Sequence, residues 1–441
     1  METRIIVIDD DPTGSQAVHS CLLLTQWDPD TLESALLDPS PLFFILGNTR
    51  GMSEDRAAEV TREICRNVRT ALERRREAGA PVQPLVVSRS DSTLRGHYPA
   101  ETDVIAEELG PFDAHFLVPA FLEGGRITRN SIHYVRQNGI EVPVHETEFA
   151  RDSVFAYHHS YLPDYVAEKT GGRIRPEEVL RLTLEEVRGG TLSTLLSLRD
   201  NACVVVDAEQ QEDLDRFSAD VRAAVAQGKR FLFRSAASLL ASLAALPPQP
   251  VSPETMGKWV RGGKPGVVLV GSHVQRTTEQ LRVLLREPGL ASVEIPVDGC
   301  TGPDREALRA SVLHQVEQAH ARGLDVVLQT SREERLFPTR EERLAFGEAV
   351  SAFLMEIVRR LPEDLGFLVS KGGITSNDVL SAGLALHQSR VLGQIVPGCS
   401  LVHCPASHPR FPGLPVVIFP GNVGDADALA EVLRRLRSSR S

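Results

Sequence analysis

IIVIDDDPTG, Ile5 to Gly14, decides the reading of this chain. The β-branched run Ile5 to Ile8 reads as a short buried strand, Asp9, Asp10 and Asp11 stand directly at its end, and Pro12, Thr13 and Gly14 turn the chain. Open α/β sheets bind ligands outside the carboxyl ends of their strands, so the three aspartates occupy a ligand position. Three neighbouring carboxylates repel one another, which requires a cation in the same space, either a metal ion or a basic group. The plainer alternative is a solvated acidic turn in which one aspartate bonds the backbone beside Pro12.

Working outward, Leu42 to Leu46, Leu85 to Val87 and Phe116 to Val118 read as further buried strands. Between them Ala57, Val60, Ile64, Val68 and Leu72 mark a helix over Ser53 to Ala78, with Ser53 as cap and Gly79 as stop. The pattern weakens from His145 to about Asp200, an insertion or an extra helical layer, and resumes with Val204 to Val206 and Phe231 to Phe233. Pro and Gly crowd residues 246–266, as in a linker or exposed crossing. A second series follows, with strands at Val267 to Val270, Val326 to Gln329, Phe367 to Val369 and Val416 to Phe419. Its helices fall at Glu306 to Ala321, Arg343 to Arg360 and Asp425 to Leu436. The fold class is α/β: two α/β domains, 1–250 and 251–441, with mainly parallel sheets and a ligand cleft between them.

At 441 residues the chain is long enough for about two or three domains, and its apolar fraction of 42% and charged fraction of 24% are those of a globular protein. A formal charge of -11 opposes non-specific binding to nucleic acid or to an anionic membrane. An anionic substrate would instead be held by local arginines and backbone amides. Six scattered cysteines form no disulfide framework and no CxxC pair, and the chain shows no apolar run of about 18 residues and no leader, so a reducing cytoplasm is the expected setting. His145, His158 and His159 lie in the least patterned region and make a poor metal set, and a homodimer is the default assembly.

Two kinds of segment carry chemistry. SRSDSTLRGH, Ser88 to His97, follows a strand: Arg89 and Arg95 offer planar donor forks for a carboxylate or phosphate, Asp91, Ser92 and Thr93 orient hydroxyls, and Gly96 lets the backbone approach a ligand. Glu123, Gly124, Gly125 and Arg126 form a second candidate pocket wall. In the second half three strands run into glycine turns ahead of helices. These are Gly271, Ser272 and His273; Lys371, Gly372, Gly373, Ile374, Thr375 and Ser376, with Asn377 as a candidate cap; and Pro420, Gly421, Asn422, Val423 and Gly424. Such turns expose successive N–H groups suited to phosphate. No Walker A loop is present, because Lys264 is followed by Pro265, and protein-kinase signatures are absent.

DDPTG (Asp10 to Gly14), DSTLRG (Asp91 to Gly96), GGITS (Gly372 to Ser376) and GNVG (Gly421 to Gly424), in this order and over nearly the whole chain, resemble the four-carbon acid sugar kinase family, also described as YgbK-like. The resemblance implies ATP-dependent phosphorylation of a small sugar acid such as threonate, erythronate or 3-oxo-tetronate, with an N-terminal acid-sugar domain and a C-terminal ATP-binding domain. It implies Asp10 and Asp11 beside the reacting hydroxyl and Arg95 on the substrate carboxylate. Asp91, Ser92, Thr93 and Gly96 belong to the same substrate loop. Ser272, the Gly372 to Thr375 loop and the Gly421 to Gly424 loop would hold ATP with Mg2+. The chain departs from the family pattern at Pro12, His97, His273, Val274 and Ile374, and Phe419 stands where a lysine often precedes the last glycine loop.

Two other readings compete. Asp9, Asp11 and Thr13 spell DxDxT, the first motif of haloacid-dehalogenase-type phosphatases, in which Asp9 would be phosphorylated and Lys371 would stabilise it. A non-catalytic sensor of nucleotide or sugar acid is the third, favoured by the absent lysine at position 419.

Overall fold

The computed structural model describes residues 2–137, 139–272, 274–332, 337–421 and 423–438. The chain divides into two compact units, Met1–Pro248 and Gln249–Ser441. His273 and Asn422 fall outside the described residues.

In the first unit the run from Ile5 extends into a strand Glu2–Asp9, and Leu42–Leu46, Val82–Arg89, Ala114–Val118, Ala202–Val206 and Phe231–Ser235 form where the apolar runs lie. Cys21–Leu24 and Leu180–Leu182 complete the sheet at its two ends. All of its pairings are parallel. Glu2–Asp9 lies between Leu42–Leu46 and Val82–Arg89, so successive crossovers leave it in opposite directions. That is a topological switch point, and the aspartates and the Ser88 to His97 segment stand at its carboxyl end.

The helix Glu54–Glu77 is capped by Ser53, whose side chain accepts from Arg56 N, and buries Ala57, Val60, Ile64 and Val68. These pack on Ile6, Ile8, Phe43 and Val86 of the sheet. Residues 126–143 depart from the sequence reading: they fold as a three-stranded antiparallel sheet, Arg126–Arg129, Ile132–Gln137 and Ile140–Pro143. The weakly patterned stretch after it is a layer of short helices and turns, including Leu162–Lys169, Leu184–Gly189 and Leu192–Ser197.

The second unit repeats the plan. Leu290–Ile295, Asp325–Thr330, Val267–Val270, Leu368–Lys371 and Pro415–Phe419 lie side by side and parallel, followed by antiparallel Cys399–His403 and Gln388–Val396. Its switch point lies between Val267–Val270 and Leu368–Lys371, the strands that lead into the first two glycine turns. One helix differs from expectation: Asn377 lies inside the helix Gly373–Asp378, whose cap is Gly372.

Among the described residues no helix is long and apolar enough to cross a membrane, and the six buried cysteines form no disulfide. Phe116 is fully buried, stacked on Phe233 at 5.0 Å and edge-on to Phe231 at 5.2 Å and Phe217 at 5.5 Å. Phe116→Ala is expected to remove about 4 kcal/mol of stability, because the surrounding rings cannot collapse into the space. An unshifted urea transition would refute that packing role.

Candidate active site

Strand register places the aspartates against arginines. Asp9 is level with Arg89 across the parallel pair, and Arg89 Nη1 approaches Asp9 Oδ1 at 3.3 Å. The Asp9 side chain is fully buried, its Oδ2 has no hydrogen-bond partner, and a Cβ on Gly14 would lie 1.7 Å from that oxygen. Burial, against the pull of Arg89, raises the Asp9 carboxyl to about 7, and the like charges of Asp10 and Asp11 add to it. A group sealed in this way is closed to a phosphate ester, so the phosphatase reading loses its nucleophile.

Asp10 is also buried. Arg50 grips it with two donors, Nη2 to Oδ1 at 2.5 Å and Nε to Oδ2 at 3.2 Å, and Ser90 Oγ donates to Oδ2 at 2.8 Å. Both oxygens of Asp10 therefore already accept hydrogen bonds from the protein. Asp11 keeps 21% of its side chain exposed. Its Oδ1 accepts from Thr13 N at 2.8 Å and Thr13 Oγ1 at 2.5 Å, capping the turn Pro12–Ala17, and its Oδ2 meets Arg50 Nη1 at 3.2 Å. Burial alone would raise the Asp11 carboxyl, but Arg50, Arg89 and the Thr13 bonds outweigh it and hold it below the usual range.

The cation demanded by the triple aspartate is therefore a basic group. Arg50 reaches it from the turn Thr49–Gly51, after the strand Leu42–Leu46, and its Nη1 also lies 4.0 Å from Asp91 Oδ1. No motif marks it; its signal in the sequence is a basic residue just beyond a strand that pairs with the acidic one. His97 Nε2 lies 3.2 Å from Thr49 O and its ring meets Phe155 edge-on, so this departure from the family pattern supports the turn that carries Arg50.

The Asp91 to Gly96 loop is held from behind. His133 Nε2 donates to Ser92 O at 2.7 Å, Tyr157 OH to Thr93 O at 2.7 Å and Tyr165 OH to Leu94 O at 2.8 Å. Burial pulls His133 down to about 4, so it is neutral, with Nδ1 accepting from Thr128 Oγ1. Three tethers hold Leu94 at φ 66, a left-handed conformation that a branched side chain otherwise avoids. Gly96 has φ 118, and a Cβ there would lie 2.5 Å from Ser90 Oγ and 2.7 Å from Arg234 Nη2, so only glycine fits.

Within this loop the side chains largely satisfy one another. Asp91 accepts from Thr93 Oγ1 and from Arg95 Nε at 2.8 Å, so the Thr93 hydroxyl proton is directed at Asp91 inside the loop. Burial opposes ionisation of Asp91, but Arg50 and Arg95 overcome it and keep its carboxyl well below the usual range. Arg95 is further neutralised by Asp152 at 3.7 Å. A small hollow opens beside these groups, lined by Ser90, Asp91, Leu94, Arg95, Tyr98 and Arg234 among others.

Arg126 differs from its neighbours. Its guanidinium donates to Gly124 O and lies over the ring of Phe149, which also carries Arg95. Among the described residues it forms no ion pair, and its buried Nε has no acceptor. Burial lowers its affinity for a proton, against the attraction of Asp91. An unpaired arginine beside Asp91 is a seat for an anion.

In the second unit the three glycine turns converge. Thr277 Oγ1 lies 3.2 Å from Ser272 Oγ and 3.3 Å from Gly421 O, while a Cβ on Gly372 would meet Ser272 Cβ and Thr375 Oγ1, each at 3.2 Å. Gly372, at φ 124, donates its N–H to Phe419 O. Carbonyls of the last turn are taken by side chains: Pro420 O and Gly421 O by Lys371, Val423 O by Gln280, and Gly424 O by Arg276. No acceptor among the described residues takes the N–H groups of Gly421, Val423 and Gly424, which leaves these donors open in the last turn. Ile374 is 76% exposed at the second turn and Val274 41% at the first, so apolar surface borders these turns.

These residues do not build a metal cage. No group of three His, Cys, Asp or Glu among the described residues could hold an ion, and the aspartates of the first unit are bound to arginine.

Comparison with known proteins follows this division. Residues 5–243 match a family described as a sugar-binding N-terminal domain, and residues 267–429 one described as a nucleotide-binding C-terminal domain. The chain is 24% identical over 450 residues to D-erythronate kinase of Heliobacterium modesticaldum, covering 97% of this chain and 95% of that one. It is 26% identical over 451 residues to D-threonate kinase of Bordetella bronchiseptica, covering 98% of each. A crystal structure of a protein from Salmonella typhimurium LT2 shares the fold with a TM-score of 0.70 at 18% identity, over 99% of this chain and all of that one. One from Haemophilus influenzae does so at 0.63 and 16% identity, over 97% of this chain and 99% of that one. The matched pair of domains defines the class, a sugar-binding unit joined to a nucleotide-binding unit. The chain belongs to the four-carbon acid sugar kinase family.

The sealed Asp9 also has a consequence for stability. Its folded pKa lies above the ordinary value of 3.8, so its favourable contribution is complete at acid pH and is lost as pH rises through about 7. Asp9→Asn, nearly isosteric, removes this loss. The melting temperature of the variant relative to wild type should climb between about pH 4 and pH 8, by an amount equivalent to at most about 1.4 kcal/mol per pH unit. A constant difference across that range would refute the buried protonation.

Proposed function

We propose that this chain is an ATP-dependent kinase that phosphorylates a hydroxyl of a four-carbon acid sugar of the threonate or erythronate type. The observation that carries this reading is the pairing pattern in the first unit. Arg50 and Arg95 are compensated by carboxylates, Arg126 is not, and Asp11 presents a partly exposed carboxylate on the same chain of charges. A short polyhydroxy acid matches such a face: its carboxylate pairs with Arg126, assisted by Arg95, and a hydroxyl reaches Asp11. Residues 1–250 are the acid-sugar domain of this reading and 251–441 the ATP domain.

In the reaction the acceptor oxygen attacks the γ-phosphorus, the bond from that phosphorus to the β-bridging oxygen breaks, and ADP departs. The proton of the hydroxyl passes to Asp11. A carboxylate as acidic as Asp11 accepts it only as the new O–P bond forms, which suits the loose transition state of phosphoryl transfer. Arg50 holds Asp11 and Asp10 in place, so Asp10 is a positioning residue. The N–H groups of Gly421, Val423 and Gly424, with Ser272, Gly372, Gly373, Ile374 and Thr375 around them, receive the phosphates; Asn422 stands between Gly421 and Val423 in the sequence. Mg2+ brought in with ATP neutralises phosphate charge.

The test is a panel of four-carbon sugar acids with MgATP and mass detection of the phosphorylated product. Asp11→Asn should lower kcat at least about a hundredfold with little change in KM. Arg126→Ala should raise KM for the acid roughly tenfold to a hundredfold while leaving KM for ATP in place. Release of ADP without a phosphorylated acid, or both variants behaving as wild type, would sink the reading.

A further inference from the structure

Phe419 occupies the position where the family resemblance implies a lysine ahead of the last glycine loop, and Lys371 crosses its ring. The Phe419 ring is fully buried, and Lys371 reaches over it from the adjacent strand with Nζ 4.1 Å from the ring centroid. That ammonium donates to Pro420 O at 2.6 Å and Gly421 O at 3.2 Å, so it holds the loop from behind and does not face a ligand. Lys371 is itself fully buried, and burial pulls it down to about 7. It braces the loop without replacing the missing surface charge.

Another basic residue meets that need. Arg332 follows the strand Asp325–Thr330, the parallel neighbour of Val267–Val270, and arrives beside the first glycine turn. Its Nη1 donates to Ser272 O at 2.6 Å and its Nη2 to Thr278 Oγ1 at 2.7 Å. Those bonds use two of its five N–H donors and fix the plane of the fork. Nε is buried with no acceptor, and among the described residues no carboxylate pairs with the guanidinium. Arg276, on the opposite flank, donates to Gly424 O and likewise has no ion pair among the described residues. Among the described residues Arg276 and Arg332 thus have no ion pair, and both donate to the glycine turns.

We infer that Arg332 is a phosphate-binding residue for the nucleotide, contributing from a fourth strand end the charge that position 419 lacks. This rests on the ATP-binding reading of the second unit. A guanidinium fixed in orientation on Ser272 O and desolvated on one edge suits bidentate binding of phosphate oxygens.

Calorimetric titration of the full chain with ATP, ADP and adenosine tests it. Arg332→Ala should weaken ATP and ADP binding roughly tenfold to a hundredfold and leave adenosine within about twofold. Arg332→Lys, which keeps the charge but loses the fork, should fall between. Equal weakening of all three ligands would mean that Arg332 only braces the turn, and unchanged ATP binding would mean that it does not contact phosphate; either overturns the inference. If Arg332→Ala does not fold, the same comparison in Arg332→Lys decides, since a brace predicts no phosphate-dependent loss. Wild-type protein that binds adenosine but gains nothing from phosphates also overturns the inference, whereas wild type that binds none of the three fails at the kinase reading itself.

Discussion

The guanidinium of Arg50 holds the first unit's site together. Three carboxylates, Asp10, Asp11 and Asp91, come from the ends of two neighbouring strands, and without a shared cation their repulsion would force them apart or force protons onto them. Arg50 is largely shielded, hydrogen-bonded to Asp10 and Asp11 and 4.0 Å from Asp91, and although burial disfavours its charge, their attraction raises its pKa well above the ordinary value. With Arg50 in place, Asp11 can remain ionised at the surface while Asp10 is buried beneath it. The same compensation leaves Asp9, the deepest of the run, to settle its charge by holding a proton.

Much of the fold was legible because its strands are buried on both faces and read as unbroken apolar runs. Leu42–Leu46 and Val267–Val270 coincide with those runs, and the helix Glu54–Glu77 carries a clear spacing and a serine cap. The short antiparallel strands of residues 126–143 were not legible. They mix exposed and buried positions, and the polar side chains of Arg126, Arg129, His133 and Arg136 interrupt any alternation. Asn377 was misplaced as a cap because Gly372 and Gly373, which look like loop, begin the helix.

For the site, position along the chain was easier to read than role. The strand-end segments carrying Asp10, Asp11, Asp91 and Arg95 do assemble, and Ser272, Gly372, Thr375 and Gly421 do converge in the second unit. Which carboxylate is exposed and which arginine is unpaired depend on partners distant in sequence, so neither the burial of Asp10 nor the isolation of Arg126 could be read from a motif. Arg50 and Arg332 lie in segments with no recognisable pattern and become visible only once parallel register sets their strands beside the loops they serve.

The tethering of the Asp91 to Gly96 loop by His133, Tyr157 and Tyr165 separates two jobs between two parts of the first unit. Charge chemistry is anchored in the parallel sheet, whereas the contour of the pocket is set by the small hairpin sheet, the helix Leu162–Lys169 and the irregular segment before it, which supply those three tethers. Divergence in ligand preference among related chains can therefore accumulate in the outer layer, by resizing or retilting what grips the loop, while the strand ends beneath it stay as they are.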